Sequence, residues 1–226
     1  MEVVVSRARA AALKMSIVDG ETKNQAILAA SKEIERQRHN LQEVNSRDVE
    51  EAERTGLPKP LIKRLRLDDA KIGEMIKGLA SLTKLEDPVG RVLLATEMDK
   101  GLELYKVTTP IGVIGAIFES RPDALVQIAA LCLKSGNAVI LKGGSEAART
   151  NQFLVELIRK AVGSFKGIPE DVVQLILTRD AVDRLLKMDK GVDLLVPRGS
   201  SSLVRYMKEN SKIPVLGHTE GICHVY

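Results

Sequence analysis

Three short polar segments of this chain each follow an apolar run: Glu119-Ser120-Arg121-Pro122, Lys142-Gly143-Gly144-Ser145 and Pro197-Arg198-Gly199-Ser200-Ser201-Ser202. The second is the most telling. Lys142 puts a cation at the end of an apolar strand, Gly143 and Gly144 let the backbone come close to a ligand, and Ser145 is placed to cap the helix that follows. If the preceding runs are parallel strands, their carboxyl ends share one edge. A ligand bridging that edge would meet Arg121, Lys142, Arg198 and several helix N-termini, which suits a diphosphate-like or triphosphate-like anion. The plainer reading is an ordinary strand-to-helix connection at Lys142, and a capped helix start with a solvated arginine at Arg198-Gly199-Ser200. Neither GxGxxG nor GxxxxGK[ST] occurs, so the common nucleotide fingerprints are excluded.

The elements that would position these residues come in two textures. Up to about residue 85 the pattern is helical. Ile27, Ala30, Ile34 and Leu41 keep one apolar stripe through a charged segment, and Ile72, Met75, Leu79 and Leu82 keep another. Thr55-Gly56-Leu57-Pro58-Lys59-Pro60 separates them, with Gly56 as a C-cap. Asp87-Pro88-Val89-Gly90 ends this part. Arg91 to Thr109 reads as a hairpin turning at Asp99-Lys100-Gly101, with an edge free to pair. From Ile111 onward, five apolar runs (111–118, 138–141, 172–177, 194–196 and 213–216) alternate with stretches long enough for crossover helices. Continuous Val/Ile/Leu runs mark buried parallel strands, so the fold class is α/β, with a five-stranded parallel sheet covered by helices. The parts are 1–90 (helical), 91–109 (hairpin) and 110–226 (Rossmann-like).

Composition narrows the function. The 226 residues are 44% hydrophobic, enough for a core, and no run of about 18 apolar residues exists. Neither a membrane span nor a signal peptide is indicated, and a cytoplasmic setting follows. The net charge is +4, but 34 basic residues are interspersed with 30 acidic ones, and three Phe, three Tyr and no Trp offer no stacking platform. That distribution argues against nucleic acid as a partner, a possibility that rests on the basic pI alone. Cys132 and Cys223 make no disulfide framework. His218, Cys223 and His224 are close in sequence, yet no matching pair elsewhere completes a zinc site. Cys132, in an apolar helical run, reads as an inert core thiol.

Six blocks then carry a resemblance: Thr109-Pro110-Ile111-Gly112-Val113-Ile114-Gly115, Phe118-Glu119-Ser120-Arg121-Pro122-Asp123-Ala124, Lys134-Ser135-Gly136-Asn137-Ala138, Leu141-Lys142-Gly143-Gly144-Ser145-Glu146-Ala147, Val196-Pro197-Arg198-Gly199-Ser200 and the stretch from Gly217 to Tyr226. Together they resemble gamma-glutamyl phosphate reductase, or glutamate-5-semialdehyde dehydrogenase, of the aldehyde dehydrogenase superfamily. The family also forms the reductase half of pyrroline-5-carboxylate synthase. The likeness covers essentially the whole chain.

The resemblance implies NADPH-dependent reduction of L-glutamyl 5-phosphate to L-glutamate 5-semialdehyde, a step of proline biosynthesis. A cysteine thiolate would take the acyl group, and hydride would reduce the thioester. By position it assigns cofactor contacts to Phe118, Glu119, Lys142, Gly143, Gly144, Ser145, Arg198, Gly199 and Ser200, with Ser120 and Arg121 toward the substrate. Lys142 would reach the adenosine ribose and its 2′-phosphate. Ser145 stands where NAD-preferring relatives often carry glutamate, and an uncharged residue there agrees with NADP. The asparagine oxyanion donor and glutamate base of aldehyde-oxidising relatives are missing near Glu119 and His218, which fits a reductive direction. The family's nucleophilic cysteine lies past the final block, beyond Tyr226. The expectation is therefore a cofactor-binding portion, with the catalytic domain absent and no activity alone. Cys223 beside His224 is a poor substitute, because adjacent residues of a strand face opposite ways. Implied partners are the substrate and, in the full-length protein, a homo-oligomer or glutamate 5-kinase. The alternative is a non-catalytic relative that docks on a full-length reductase subunit.

Overall fold

The computed structural model of the chain describes residues 1–217. His218, Cys223, His224 and most of the final block lie outside them. Five helices come first: α1 (Glu2–Met15), α2 (Gly20–Arg36), α3 (Arg38–Arg54), α4 (Lys59–Leu65) and α5 (Asp69–Thr83). Local chemistry sets several of their ends. Asp19 accepts the Thr22 amide at 2.8 Å to start α2, and Asp68 accepts the Lys71 amide at 2.9 Å to start α5. Gly56, at φ +79°, closes α3 with the Leu57 amide bonded back to the Ala52 carbonyl.

One expectation is corrected here. The stripe through Ile27, Ala30, Ile34 and Leu41 does not lie on a single helix, because the chain leaves helical geometry at Gln37 (φ −97°, ψ 13°). Leu41 belongs to α3, which turns to different neighbours. α2 packs against α5 and the later helix α7 (Ala148–Val162), whereas α3 packs against the start of α7. No glycine or proline marks this break, so the periodicity runs through it unaltered.

The hairpin is as expected, β1 (Val92–Asp99) antiparallel to β2 (Leu102–Val107), with Gly101 at φ +79° supplying the turn. Every residue of both strands is exposed, Leu94, Met98, Leu102, Leu104 and Tyr105 included. Its root is anchored. Lys23, 1% exposed, bonds to Asp87 at 2.7 Å, and Asp87 also accepts the Val89 amide at 3.0 Å. Lys134 donates to the Leu85 carbonyl at 2.7 Å.

The remaining strands form one parallel sheet in the order β5-β4-β3-β6, from β3 (Val113–Phe118), β4 (Ala138–Lys142), β5 (Val173–Leu175) and β6 (Leu194–Arg198). Helices α6 (Pro122–Lys134) and α7 connect β3 to β4 and β4 to β5, while α8 (Arg179–Leu185) lies on the return to β6 and α9 (Ser201–Asn210) follows it. The expected fifth strand at 213–216 is reduced to a single parallel bridge, Leu195 to Val215. Pro214 has no N–H to continue the ladder. Among the described residues the sheet therefore has four strands and a bridge, not five strands.

All six residues of β3 are buried. At Gly115 a Cβ would stand 2.6 Å from Leu195 Cδ2 and 3.3 Å from Leu185 Cδ2, so glycine leaves room for these leucine side chains on that face of the sheet. The main core is continuous from α1 and α2 through the sheet to α9, joining Met15, Ile27 and Ile34 to Ile140, Leu141, Leu185 and Met207. Each such fully buried aliphatic chain contributes about 1.5–3 kcal/mol. No described helix is long and apolar enough to cross a membrane.

Candidate functional site

The chain steps from β3 to β4 to β5 in one direction, then returns to place β6 on the other side of β3. The rim beyond the carboxyl ends of β3 and β6, at that reversal, is the place where open α/β sheets take ligands. The three polar segments all fall on this rim. Register pairs Ile117 with Lys142 on one side, and Ile117 and Phe118 with Pro197 and Arg198 on the other. With two inter-strand spacings between them, the Cα atoms of Lys142 and Arg198 stand roughly 10 Å apart.

Lys142 is half-buried at the tip of β4. Burial pushes its ammonium below the ordinary lysine range, partly offset by the carboxylates of Glu146 and Glu119, while Arg179 opposes them. A cation held this way gains when an anion arrives. Gly143 is buried, and crowding rather than backbone dihedral demands glycine there. A Cβ would collide with the Asn151 carboxamide and stand 2.9 Å from Phe118 Cε2. Asn151 is 1% exposed and its Oδ1 has no hydrogen-bond partner. At Gly144 a Cβ would meet the carboxylate of Glu146, which accepts a hydrogen bond from Ser120 Oγ. Ser120 is buried at φ +41°, a left-handed conformation that costs a non-glycine residue roughly 1 kcal/mol or more. Glu146 and Ser120 thus tie the loop after β4 to the loop after β3.

Ser145 does not cap the next helix. It is exposed and begins a 3₁₀ turn, Ser145–Ala147, that has no side-chain cap, and α7 starts three residues later. The first turn of α7 is held instead by Asp48 of α3. This carboxylate, 2% exposed, accepts the Thr150 amide and Thr150 Oγ1, each at 2.8 Å, and a bond from Arg149 at 3.2 Å. A cleft of about 400 Å³ opens between α3 and this turn, bordered by Ser145, Glu146 and Arg149.

On the other flank, Ser200 is the N-cap of α9, its Oγ accepting the Leu203 amide at 3.4 Å. Arg198 and Gly199 are exposed, so the capped start with a solvated arginine is realised here. Glu119 reaches across from the β3 loop and accepts the Ser200 amide at 3.0 Å. The helix N-terminus therefore already holds a carboxylate, a stand-in for the anion such a site would take. Phe118 is buried at the end of β3. Arg121 does not join the cluster as expected. It precedes α6, is exposed, and pairs with Asp123 at 3.0 Å within its own turn.

Lys142, Gly143, Gly144, Glu119 and Ser200 thus share one rim, with Ser145 at its border. Sequence reasoning missed Arg179, Glu146, Asn151 and Asp48. Asn151 and Asp48 were detectable only as polar residues on otherwise apolar helix faces. Arg179 follows Thr178, whose Oγ1 accepts the Ala181 amide at 3.2 Å as the cap of α8.

Residues 1–217 match the model of the aldehyde dehydrogenase family. The chain is 53% identical over 226 residues to the gamma-glutamyl phosphate reductase of Pelotomaculum thermopropionicum, covering all of this chain and 52% of that protein. Among solved structures it is similar to the gamma-glutamyl phosphate reductase of Thermotoga maritima (TM-score 0.91, 35% identity, 94% of this chain and 52% of that one). It is likewise similar to that of Saccharomyces cerevisiae (TM-score 0.90, 42% identity, 97% of this chain and 56% of that one). The chain spans about half the length of the curated relatives it matches.

Proposed function

The chain belongs to the aldehyde dehydrogenase family, which uses NAD or NADP, and from that premise we propose that it is the NADPH-binding portion of a gamma-glutamyl phosphate reductase. The reaction is the reduction of L-glutamyl 5-phosphate to L-glutamate 5-semialdehyde and phosphate. Similarity to reductases of that name at 44–53% identity supports the substrate class. The observation that carries the cofactor reading is the convergence of Lys142 and the α9 N-terminus on one rim of the sheet, either side of the strand-order reversal.

The residues present fit a dinucleotide. Lys142 is placed to meet the ribose and its phosphate as a partly desolvated cation. Gly143 keeps the loop low enough for close approach, and Gly144 continues it. Ser145, exposed and uncharged, leaves room for the extra phosphate that distinguishes NADPH. The Ser200 amide and hydroxyl, with Gly199 and Arg198 beside them, are placed to take the pyrophosphate. In this reading Phe118, at the end of the central strand, and Glu119, just after it, lie on the nicotinamide side, with Ser120 and Arg121 toward the substrate. Bound there, the nicotinamide would supply hydride.

Cys132 is no candidate for the acyl-accepting thiol. It is buried in α6, and burial pushes its thiol up to about 12. The nucleophile in this proposal is the cysteine that the family carries beyond the position of Tyr226. Titration of nicotinamide fluorescence tests the reading. Saturable NADPH binding, weakened about tenfold or more in Lys142→Ala, is expected. Absence of binding by the unmodified chain would remove the cofactor role.

The fully exposed hairpin favours a second reading, a subunit that docks on a full-length reductase. Co-purification with such a subunit in the absence of any NADPH affinity would select it. In the first reading the same edge serves a homo-oligomer or a glutamate 5-kinase partner.

A further inference from the structure

We propose that Glu119 is a built-in competitor for the ligand's phosphate, occupying the rim at the strand-order reversal until an anion displaces it. The proposal rests on the reading of this rim as the cofactor site. Its basis is where the carboxylate sits. Glu119 is the first residue after β3, and its side chain crosses to the loop after β6, bonding to the Ser200 amide at 3.0 Å and to Ser200 Oγ at 3.3 Å. Those are the donors that the pyrophosphate would use. Space is taken as well as bonds. A Cβ at Gly199 would lie 2.6 Å from Glu119 Cδ, so the carboxylate lies directly against the turn.

Two further features separate a displaceable plug from a structural cap. First, α9 carries its own cap in Ser200 Oγ, which accepts the Leu203 amide, so the helix start is not dependent on Glu119. Second, the plug is held at an exposed rim by a side chain with three rotatable bonds, and Glu119, Arg198, Gly199 and Ser200 are all exposed. Water can replace its bonds when it leaves, which keeps the cost of opening small. A phosphate brings more negative charge to the same helix end and to Lys142, and so outcompetes a single carboxylate. Lys142 feels both Glu119 and Glu146. In the free chain, carboxylates of the protein itself partly neutralise the cation that the ligand would neutralise when bound.

A residue that only braced the loop and a residue that competes with the ligand predict opposite signs. Loss of a brace weakens binding, whereas loss of a competitor strengthens it. Inorganic pyrophosphate is the probe for the plug, and NADPH is the probe for the cofactor reading. In an isotope-labelled chain, pyrophosphate should shift the amide resonances of Gly199 and Ser200. Glu119→Gln, which keeps the shape and removes the charge, should bind pyrophosphate about three- to tenfold more tightly than the unmodified chain. Equal or weaker pyrophosphate binding by Glu119→Gln, including no binding by either protein, overturns the proposal. The two readings fail separately. If neither protein binds NADPH but the variant binds pyrophosphate more tightly, the plug stands and the cofactor assignment falls.

Discussion

At the scale of single residues, the chain puts glycine, lysine and cysteine under different constraints. Gly143 is required by the neighbouring Asn151 and Phe118, whereas Gly144 is met only by the movable end of Glu146. Cys132 yields a test with a defined sign. Its folded-state pKa is raised from 9.0 to about 12 by burial, so the native state retains a proton that the unfolded chain releases. The resulting stability is fully present below pH 9 and is lost as pH rises from 9 toward 12, by up to roughly 1 kcal/mol per pH unit. Urea unfolding of the chain and of Cys132→Ala at pH 8, 9.5 and 10.5 should show a steeper decline for the cysteine form. Equal slopes would mean that the thiol is not desolvated. Lys142 at a strand tip and Ser200 at a helix start were legible from residue types and spacing, because polar turn residues after apolar runs have few other uses. Glu119 as an occupant of the α9 N-terminus was not legible, since an exposed glutamate carries no periodic signal and its partner is 81 residues away.

At the scale of elements, α7 depends on a cap that arrives from another helix. Asp48 supplies what Ser145 was expected to supply, and the difference follows from a 3₁₀ turn that moves the helix start past the serine. Replacing Asp48 by Ala leaves the buried Thr150 amide and hydroxyl without an acceptor, at a cost of about 2–4 kcal/mol. Urea titration should show a lowered midpoint with unchanged slope. A loss under about 0.5 kcal/mol would mean that water serves equally well. Parallel strands were readable as unbroken Val/Ile/Leu runs. The break between α2 and α3 was not, because two helices sharing one core keep the same apolar spacing across their junction. The expected strand at 213–216 is cut short before its bridge by Pro214, which has no amide to pair with β6 on that side.

At the scale of the whole molecule, one core serves both the early helices and the sheet, and the hairpin stands outside it. Among the described residues β1 and β2 contact chiefly each other. Replacing residues 92–107 with a short Gly-Ser link should therefore shift the thermal midpoint by less than about 2 °C while reducing self-association, read by calorimetry and sedimentation. A fall of more than about 5 °C would show that the hairpin supports the body. The α/β class and the hairpin were legible from texture alone. What joins them was not, because the buried Lys23 and its partner Asp87 are 64 residues apart and neither looks unusual in its own segment.

The bond from Thr150 to Asp48 spans 102 positions. For anyone building chimaeras from two relatives, that span dictates where parental sequences can be exchanged. A single crossover between those positions joins one parent's carboxylate to the other's donors, the amide and hydroxyl at position 150, and viable hybrids should inherit both from the same ancestor. The hairpin tip at Lys100-Gly101, solvent-facing and remote from the core, is the natural place to splice in foreign sequence without disturbing that inheritance.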